Sequence, residues 1–233
     1  RARDVTLLAM ASLAEQRDPC TGAHLQRIDG YVRLMAEWIC DEHPEALPEW
    51  GRNPETIGRC AVVHDIGKVG IPDAILSKKG RLTDDEQRVM REHPRIGAAI
   101  VDRVLRQQPD SAFLRIARDV IAYHHEAWDG SGYPYGIAGD EIPLWAQLST
   151  VADVFDALTS ARPYKEANSI DESAAWIVAH AGTRFGPLAV QAFSARLDAL
   201  VAVREQWGLD EGTAPIVPSG MEPMPPVAPS PTG

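Results

Sequence analysis

Apolar residues recur at helical spacing along most of this chain, and that periodicity limits its fold more than any other feature. Between residues 22 and 40 they lie three or four positions apart on one stripe: Leu25, Ile28, Val32, Met35 and Ile39. Alternation of apolar and polar residues, the pattern of a half-buried strand, is not found at convincing length. The sequence therefore predicts an all-α fold.

Capping residues mark several helix starts. Asn53 before Pro54 is typical of an N-cap with proline in the first turn, and this helix is predicted to end near Asp65. Two more starts have capping-box spacing, Thr83 with Glu86 and Ser169 with Glu172. The helix that begins at Thr83 is predicted to stop at His93-Pro94. Further helices are predicted at about 95–107, 112–124, 143–160, 170–181 and 187–205, the 143–160 helix having a buried face of Trp145, Leu148, Val151, Phe155 and Leu158.

The segments between and beyond these helices suggest three parts. Residues 1–20 are predicted to form a linker helix that leads into the domain, and residues 21–205 to form the domain itself. Within it, residues 126–142 contain four glycines and read as a shaped loop. Residues 206–233 are rich in proline and are predicted to be a disordered tail, because they cannot bury a core.

Composition narrows the class of protein and its location. The formal net charge of −10 argues against binding a nucleic-acid polymer, which usually requires a basic face. Cys20, Cys40 and Cys60 form neither a CxxC pair nor a disulfide framework, so a reducing cytoplasm is the simplest compartment. Charges interrupt the apolar runs well short of the ~20 residues of a membrane span, so no membrane association is predicted.

The positions of the histidines are the best indication of a functional site, because most of them lie at predicted helix ends. His24 is predicted at the start of a helix, and the others of interest at helix C-termini: His64, His93, His124 and His125. A lone histidine at such an end is usually exposed or placed there by the helix dipole. Four helices that each present a histidine at a turn, together with Asp65 and Asp153 on helical segments, indicate a shared metal site instead. His43 and His180 are not among the residues predicted for this site.

The ligand types indicate which metals this site would prefer. Imidazoles with bridging carboxylates, and no thiolate cluster, favour Fe, Mn, Co or Ni over a structural zinc. Two such ions about 3.5–4 Å apart can activate a bridging water and hold the attacking and leaving oxygens of an in-line displacement.

With these motifs in view, the chain resembles the HD-GYP domain over nearly all of residues 4–195. The matching pieces keep their order and spacing: Arg17-Asp18, TGAH at 21–24, Arg27, HDIGKVGIPDAIL at 64–76, LTDDE at 82–86, His93, HHEAWDGSGYP at 124–134 and ADVFDALTSARPYK at 152–165. The resemblance implies an HD-domain helical bundle with a GYP loop at residues 132–134.

The resemblance also implies roles for individual residues. The metal ligands it implies are His24, His64, Asp65, His93, His124, His125 and Asp153, with Asp65 as the bridge and as a catalytic residue together with Lys68. Lys68 would steady the charge of the transition state or assist the leaving oxygen. The substrate-binding residues it implies are Lys68, Gly132, Tyr133, Arg162 and Lys165, the last two on phosphates. Tyr133 would stack on a guanine or hydrogen-bond within the pocket, and Gly132 would let backbone approach the ligand.

Cys20 is a departure from the family pattern that bears on the number of metals. Family members with three metals have a Glu four residues before the first histidine, where this chain has Cys20. A thiol must lose a proton to bind and suits oxygen-preferring ions less well. Two divalent ions, Fe or Mn, are therefore predicted.

The activity implied by the resemblance is hydrolysis of cyclic di-GMP to pGpG, and onward to GMP in some members. Two alternatives stay open: a module that binds a cyclic dinucleotide without turnover, and an HD hydrolase for another cyclic dinucleotide such as a hybrid cyclic GMP-AMP. HD-GYP domains are often outputs of two-component systems, so an upstream receiver or sensor domain and a homodimer are the protein partners to consider.

Overall fold

Helices supply the regular structure of the protein. The computed structural model describes residues 22–160 and 167–208, and within these ranges the only extended pairing is an isolated bridge between Ala181 and Phe185. The α-helices are α1 (Gly22–Glu42), α2 (Pro54–Ala61), α3 (Asp73–Leu76), α4 (Asp84–Met90), α5 (His93–Leu105), α6 (Ala112–Tyr123), α7 (Leu144–Thr159), α8 (Ile170–Ala179) and α9 (Pro187–Gln206). Short 3₁₀-helices lie at Pro44–Ala46, Glu49–Gly51, Ile66–Gly70 and Gly139–Glu141. The predicted all-α fold is confirmed.

Some predictions concern residues outside the described ranges. These are the linker helix at 1–20 with Cys20, the segment containing Arg162 and Lys165, and the tail from residue 209. Among the described residues, no helix is both long and apolar enough to cross a membrane.

The core forms where α1 packs against α2, α7 and α9. The stripe predicted on α1 is buried there, as is the apolar face predicted on α7. Three fully buried aromatic rings link these helices: Tyr31 lies edge-on to Phe155 at 5.5 Å between centroids, and Phe155 to Phe193 at 5.2 Å. Each such side chain contributes roughly 1.5–3 kcal/mol by leaving water. This packing fixes α1 and α7, which carry His24 and Asp153.

The predicted caps are confirmed. The Asn53 side chain accepts a hydrogen bond from the backbone N–H of Thr56 at 2.8 Å. Both predicted capping boxes form, with reciprocal side-chain and backbone hydrogen bonds at the starts of α4 and α8.

Two predicted helix boundaries are wrong, and both lie near the histidines. Helix α2 ends at Ala61 rather than near Asp65, and a turn followed by the 3₁₀-helix Ile66–Gly70 carries the chain onward. Lys68 therefore does not share an α-helical face with His64. His93 begins α5 rather than ending the previous helix, because a proline is tolerated in the first turn, where Pro94 lies. The short helix α3 was not predicted.

The altered boundaries follow from a close backbone contact between the 3₁₀-helix Ile66–Gly70 and α5. A Cβ atom added to Gly67 would lie 1.8 Å from the carbonyl oxygen of His93, and one added to Gly97 would lie 3.1 Å from the backbone nitrogen of Gly67. Only glycine allows two backbones to approach this closely. The contact holds Asp65 and Lys68 beside His93.

We predict that Gly67→Ala lowers stability, because its methyl group would collide with backbone that cannot move aside. The expected loss is about 3 kcal/mol or more, measured by chemical denaturation at equilibrium. Gly70→Ala is the matched control in the same 3₁₀-helix, where the new Cβ would meet only the flexible side chain of Ile96, at 2.8 Å. Equal stabilities for the two variants would contradict this explanation.

Candidate metal centre

Seven side chains from five segments of the chain meet in two neighbouring groups. The first group is Asp65, His93, His124 and His125, and the second is His24, His64 and Asp153. Within each group, one potential ligand atom from every member lies within 4.8 Å of those of the others. These are the seven residues named from the sequence as metal ligands, and each group could hold a metal ion.

Asp65 lies between the two groups. Its Oδ1 is 3.1 Å from Nε2 of His93 and 3.7 Å from Nε2 of His124, both in the first group. Its Oδ2 is 3.2 Å from Nε2 of His64, in the second group. One carboxylate thus presents its two oxygens to histidines of different groups, which is the geometry needed to bridge two ions.

Backbone hydrogen bonds orient three of these histidines. Nδ1 of His64, His93 and His124 each contacts a carbonyl oxygen three or four residues earlier in the chain, at 2.8, 2.9 and 3.1 Å. Because a carbonyl only accepts, Nδ1 must carry the proton, and in the neutral ring the lone pair is on Nε2. The three Nε2 atoms face Asp65, so the centre presents ring nitrogens suited to a cation.

His24 is oriented by a carboxylate rather than by backbone. Its Nδ1 lies 2.8 Å from Oδ2 of Asp156, and its Nε2 faces Asp153 at 3.9 Å. Asp156 is itself fixed by Arg27, whose guanidinium donates at 2.6 and 2.9 Å. Such an outer carboxylate typically changes metal affinity 10–100-fold. Sequence reasoning missed Asp156, although it falls one turn after Asp153 on the same helix.

Burial and charge favour the protonation states that a metal site requires. Burial lowers the pKa of His124 and lowers that of His125 well below its usual value, with the other histidines adding to the shift at His125. Burial opposes ionisation of Asp65, but the charge of Lys68 and the contacts with His64 and His124 outweigh it and hold its pKa well below normal. Neutral imidazoles and an ionised carboxylate are the forms that bind metal.

Two features of the described part of the centre are energetically unfavourable unless a cation is bound. Oδ1 of Asp65 is buried and has no hydrogen-bond partner. Nε2 of His93 and Nε2 of His124 lie 3.4 Å apart, although backbone carbonyls take the Nδ1 proton of each ring. Two facing lone pairs and an unpaired carboxylate oxygen are the donors that a divalent metal ion requires. The residues of this centre therefore fit a metal site.

Lys68 lies at the edge of this centre. Its Nζ is 2.8 Å from Oδ2 of Asp65, and the ion pair is largely buried. The ammonium group is therefore held where a phosphate bound at the centre would come within its reach.

The GYP loop forms one wall of the centre. The Tyr133 ring stacks on His125 at 4.6 Å between centroids, and the Arg91 guanidinium lies 5.0 Å from the same ring. A Cβ on Gly132 would lie 2.2 Å from the nitrogen of Ala127, so packing within the loop explains this glycine without a ligand.

Glu126 holds the loop closed. This buried carboxylate accepts hydrogen bonds from the backbone N–H groups of Tyr135 at 2.7 Å and Gly136 at 3.1 Å. Sequence reasoning did not single out Glu126. Its only local signal was its place directly after the His124-His125 pair.

The two remaining histidines lie away from the centre. His43 contacts Glu45 at 3.5 Å and the Trp38 ring, and His180 bonds to the backbone carbonyl of Trp176. Neither belongs to a group of potential metal ligands among the described residues.

Curated proteins similar to this chain are named as phosphodiesterases of cyclic di-GMP or of 3′3′-cGAMP. A cyclic di-GMP phosphodiesterase of Vibrio cholerae is 45% identical over 206 residues, which cover 86% of this chain and 41% of that protein. The cyclic di-GMP phosphodiesterase response regulator RpfG of Xanthomonas campestris is 41% identical over 80% of this chain and 46% of its own length. A 3′3′-cGAMP-specific phosphodiesterase of V. cholerae is 35% identical over 84% of this chain and 35% of its own length. The chain thus spans less than half the length of these relatives.

Solved structures support the fold. An HDG"Y"P protein from Bdellovibrio bacteriovorus matches with a TM-score of 0.52 at 19% identity, over 76% of this chain and 53% of that one. A cyclic GMP-AMP specific phosphodiesterase of V. cholerae matches with a TM-score of 0.55 at 19% identity, over 87% and 55%. The HD domain family itself matches residues 9–188, which include every potential metal ligand described above. The chain therefore belongs to the HD domain family.

Proposed function

We propose that this protein is a metal-dependent phosphodiesterase that hydrolyses cyclic di-GMP to pGpG. The observation that carries the proposal is Asp65, whose two oxygens face histidines of different groups while Lys68 lies 2.8 Å away. Relatives 45% and 41% identical to the chain are named cyclic di-GMP phosphodiesterases, which supports this choice of substrate.

The proposed ligands are the two groups already described, holding two divalent ions, with Fe or Mn preferred for the histidine and carboxylate donors. When bound, such ions polarise the phosphate and make water a better nucleophile. In the reaction an oxygen of water forms a bond to phosphorus and the P–O3′ bond breaks, which leaves a 5′-phosphate and a 3′-hydroxyl. A cytoplasmic location, an upstream receiver or sensor domain and a homodimer belong to the same proposal.

Lys68 has the clearest role among the chain's own groups. Its ammonium stabilises charge that develops on the phosphate, or passes a proton to the departing oxygen. Its ion pair with Asp65 fixes it before substrate arrives, so little reorganisation is needed. Tyr133 and Gly132 form the wall beside it, and Arg162 and Lys165 are proposed, from the sequence motif alone, to bind phosphates.

A second candidate is hydrolysis of the hybrid 3′3′-cGAMP. It is favoured by a relative 35% identical to the chain that is named for this specificity. The metal centre would serve either cyclic dinucleotide equally, because both have the same phosphodiester links. Binding without turnover is the third alternative.

We predict that the metal-loaded protein converts cyclic di-GMP to pGpG faster than it converts 3′3′-cGAMP to its linear product. Chromatography of products over time, with Mn²⁺ or Fe²⁺ added, measures both rates. A faster rate with 3′3′-cGAMP would favour the second candidate. Tight binding of cyclic di-GMP without any linear product would favour the third.

We predict that Asp65→Ala lowers turnover by about a thousandfold or more and reduces the bound metal, since the carboxylate serves both ions. Elemental analysis and the rate of cyclic di-GMP hydrolysis report the two effects. His43→Ala and His180→Ala are the controls, because both histidines lie outside the centre, and both should retain wild-type rate and metal. Full metal content and wild-type rate in Asp65→Ala would rule out its bridging role.

Two metals per chain are predicted, because Cys20 stands where three-metal relatives have Glu. An ordinary thiol with a pKa of about 8.5 is mostly protonated near neutral pH and adds little for an oxygen-preferring ion. Cys20→Ser should leave metal content and the first cleavage unchanged, whereas Cys20→Glu should recruit a third ion and speed formation of GMP. Three metals in the wild-type protein, one with a sulfur ligand in its X-ray absorption spectrum, would contradict this prediction.

A further inference from the structure

Arg184 is a partly buried cation near the metal centre that the proposed mechanism does not use. It lies in the turn between α8 and α9, and its backbone carbonyl accepts a hydrogen bond from the N–H of Trp128 at 3.2 Å. The residue after Trp128 pairs with the residue before Arg184, since the N–H of Asp129 donates to the carbonyl oxygen of Thr183 at 2.8 Å. These bonds hold the turn against the chain that follows His124 and His125.

The guanidinium of Arg184 has no carboxylate partner among the described residues. Asp153, Tyr133 and Asp129 all interact with it electrostatically, yet none forms an ion pair within 4.0 Å. Its Nε is buried and has no hydrogen-bond partner. Burial lowers the pKa of Arg184, and the nearby groups offset this only in part.

Several other arginines among the described residues pair with carboxylates, although Nε of Arg91, Arg196 and Arg204 is, like that of Arg184, buried without a hydrogen-bond partner. Arg33, Arg59 and Arg118 each lie within 3.3 Å of a carboxylate oxygen, on the outside of the bundle. Leaving the buried Nε of a partly buried guanidinium unpaired costs free energy, because burial removes its hydration without replacing it. An anion that binds beside Arg184 would supply the missing partner.

Tyr133 provides a second unsatisfied donor at the same wall. Its hydroxyl group is buried and has no hydrogen-bond partner in the described structure. A phenol is an O–H donor near neutral pH, so this group can donate a hydrogen bond. A guanidinium and a phenol that both lack an acceptor match the oxygens of a phosphate, which accepts several hydrogen bonds at once.

The position of Arg184 distinguishes it from Lys68. Lys68 is paired with Asp65, at the junction of the two ligand groups, whereas Arg184 interacts with Asp153, a member of the second group only. A cyclic dinucleotide has two phosphodiester links. The metals with Lys68 account for one, and the phosphate contacts proposed from the sequence motif for Arg162 and Lys165 are not assigned to either link. We propose that Arg184, together with the Tyr133 hydroxyl, binds the second, non-reacting phosphodiester of the substrate, an inference that rests on the proposed function.

The test compares Arg184→Gln with Arg103→Gln, a control that removes the same charge from an exposed position ten residues beyond His93 on α5. We expect Arg184→Gln to raise the KM for cyclic di-GMP roughly ten- to hundredfold, the loss typical of a hydrogen bond to a charged group. Turnover at saturation and metal content should stay at wild-type values, and the unfolding midpoint of the substrate-free variant should not fall below that of the wild type. Arg184→Lys should recover part of the loss, because it keeps the charge without the planar fork.

A substrate with a single phosphodiester separates this role from a role at the reacting phosphate. Bis(p-nitrophenyl) phosphate has a single phosphodiester, so Arg184→Gln should hydrolyse it at the wild-type rate. An equal loss with this small substrate would place Arg184 on the reacting phosphate and overturn the proposal. An unchanged KM for cyclic di-GMP, or a loss of metal, would overturn it as well.

Binding of a bis-phosphorothioate analogue of cyclic di-GMP keeps the inference separate from the proposed activity. If the wild type binds the analogue without hydrolysing cyclic di-GMP, and Arg184→Gln binds it at least tenfold more weakly, the phosphate site stands and the hydrolytic function fails. If the wild type hydrolyses cyclic di-GMP and Arg184→Gln binds the analogue as tightly as the wild type, the hydrolytic function stands and the phosphate site fails. A wild type that neither binds nor hydrolyses overturns both.

Discussion

The structure depends on a cluster of inward-facing imidazole nitrogens that need a ligand to bind them. His64, His93 and His124 each give the Nδ1 proton to a backbone carbonyl, which commits Nε2 to the interior. Asp65 is ionised among them, because Lys68 and the histidines outweigh the cost of burying its charge. A hydrophobic bundle would not hold so many acceptor atoms this close together without a ligand to bind them. Divalent metal is the ligand that their number and chemistry fit.

The fold supplies this cluster through helix ends and one close backbone contact. The carbonyls that orient the histidines lie in the last turns before each ring, where helices leave such groups available. Gly67 lets the Ile66–Gly70 segment press against α5, so that Asp65 reaches His93. Packing of Phe155 between Tyr31 and Phe193 fixes α7 against α1, which aligns Asp153 with His24. Stability and site geometry therefore depend on the same contacts.

The parts of the site that could be predicted from the sequence are those that neighbouring residues in the chain reveal. Histidines at helix ends and the caps at Asn53 and Thr83 are visible within a few residues, and the structure brings the proposed ligands together. Helix boundaries near the site were missed, because the contact of Gly67 with α5 is tertiary. Asp156 and Arg184 were also missed. Their roles come from residues distant in sequence, such as His24, which lies 132 positions before Asp156.

Anomalous scattering from a crystal grown with Mn²⁺ tests most directly whether Asp65 bridges two ions. We expect two manganese peaks about 3.5–4 Å apart, the separation usual for two-metal sites, with one oxygen of Asp65 bound to each ion or one oxygen shared by both. The ring nitrogens of His93 and His64 should lie on different ions. A single peak, or two peaks that Asp65 does not join, would contradict the bridging role.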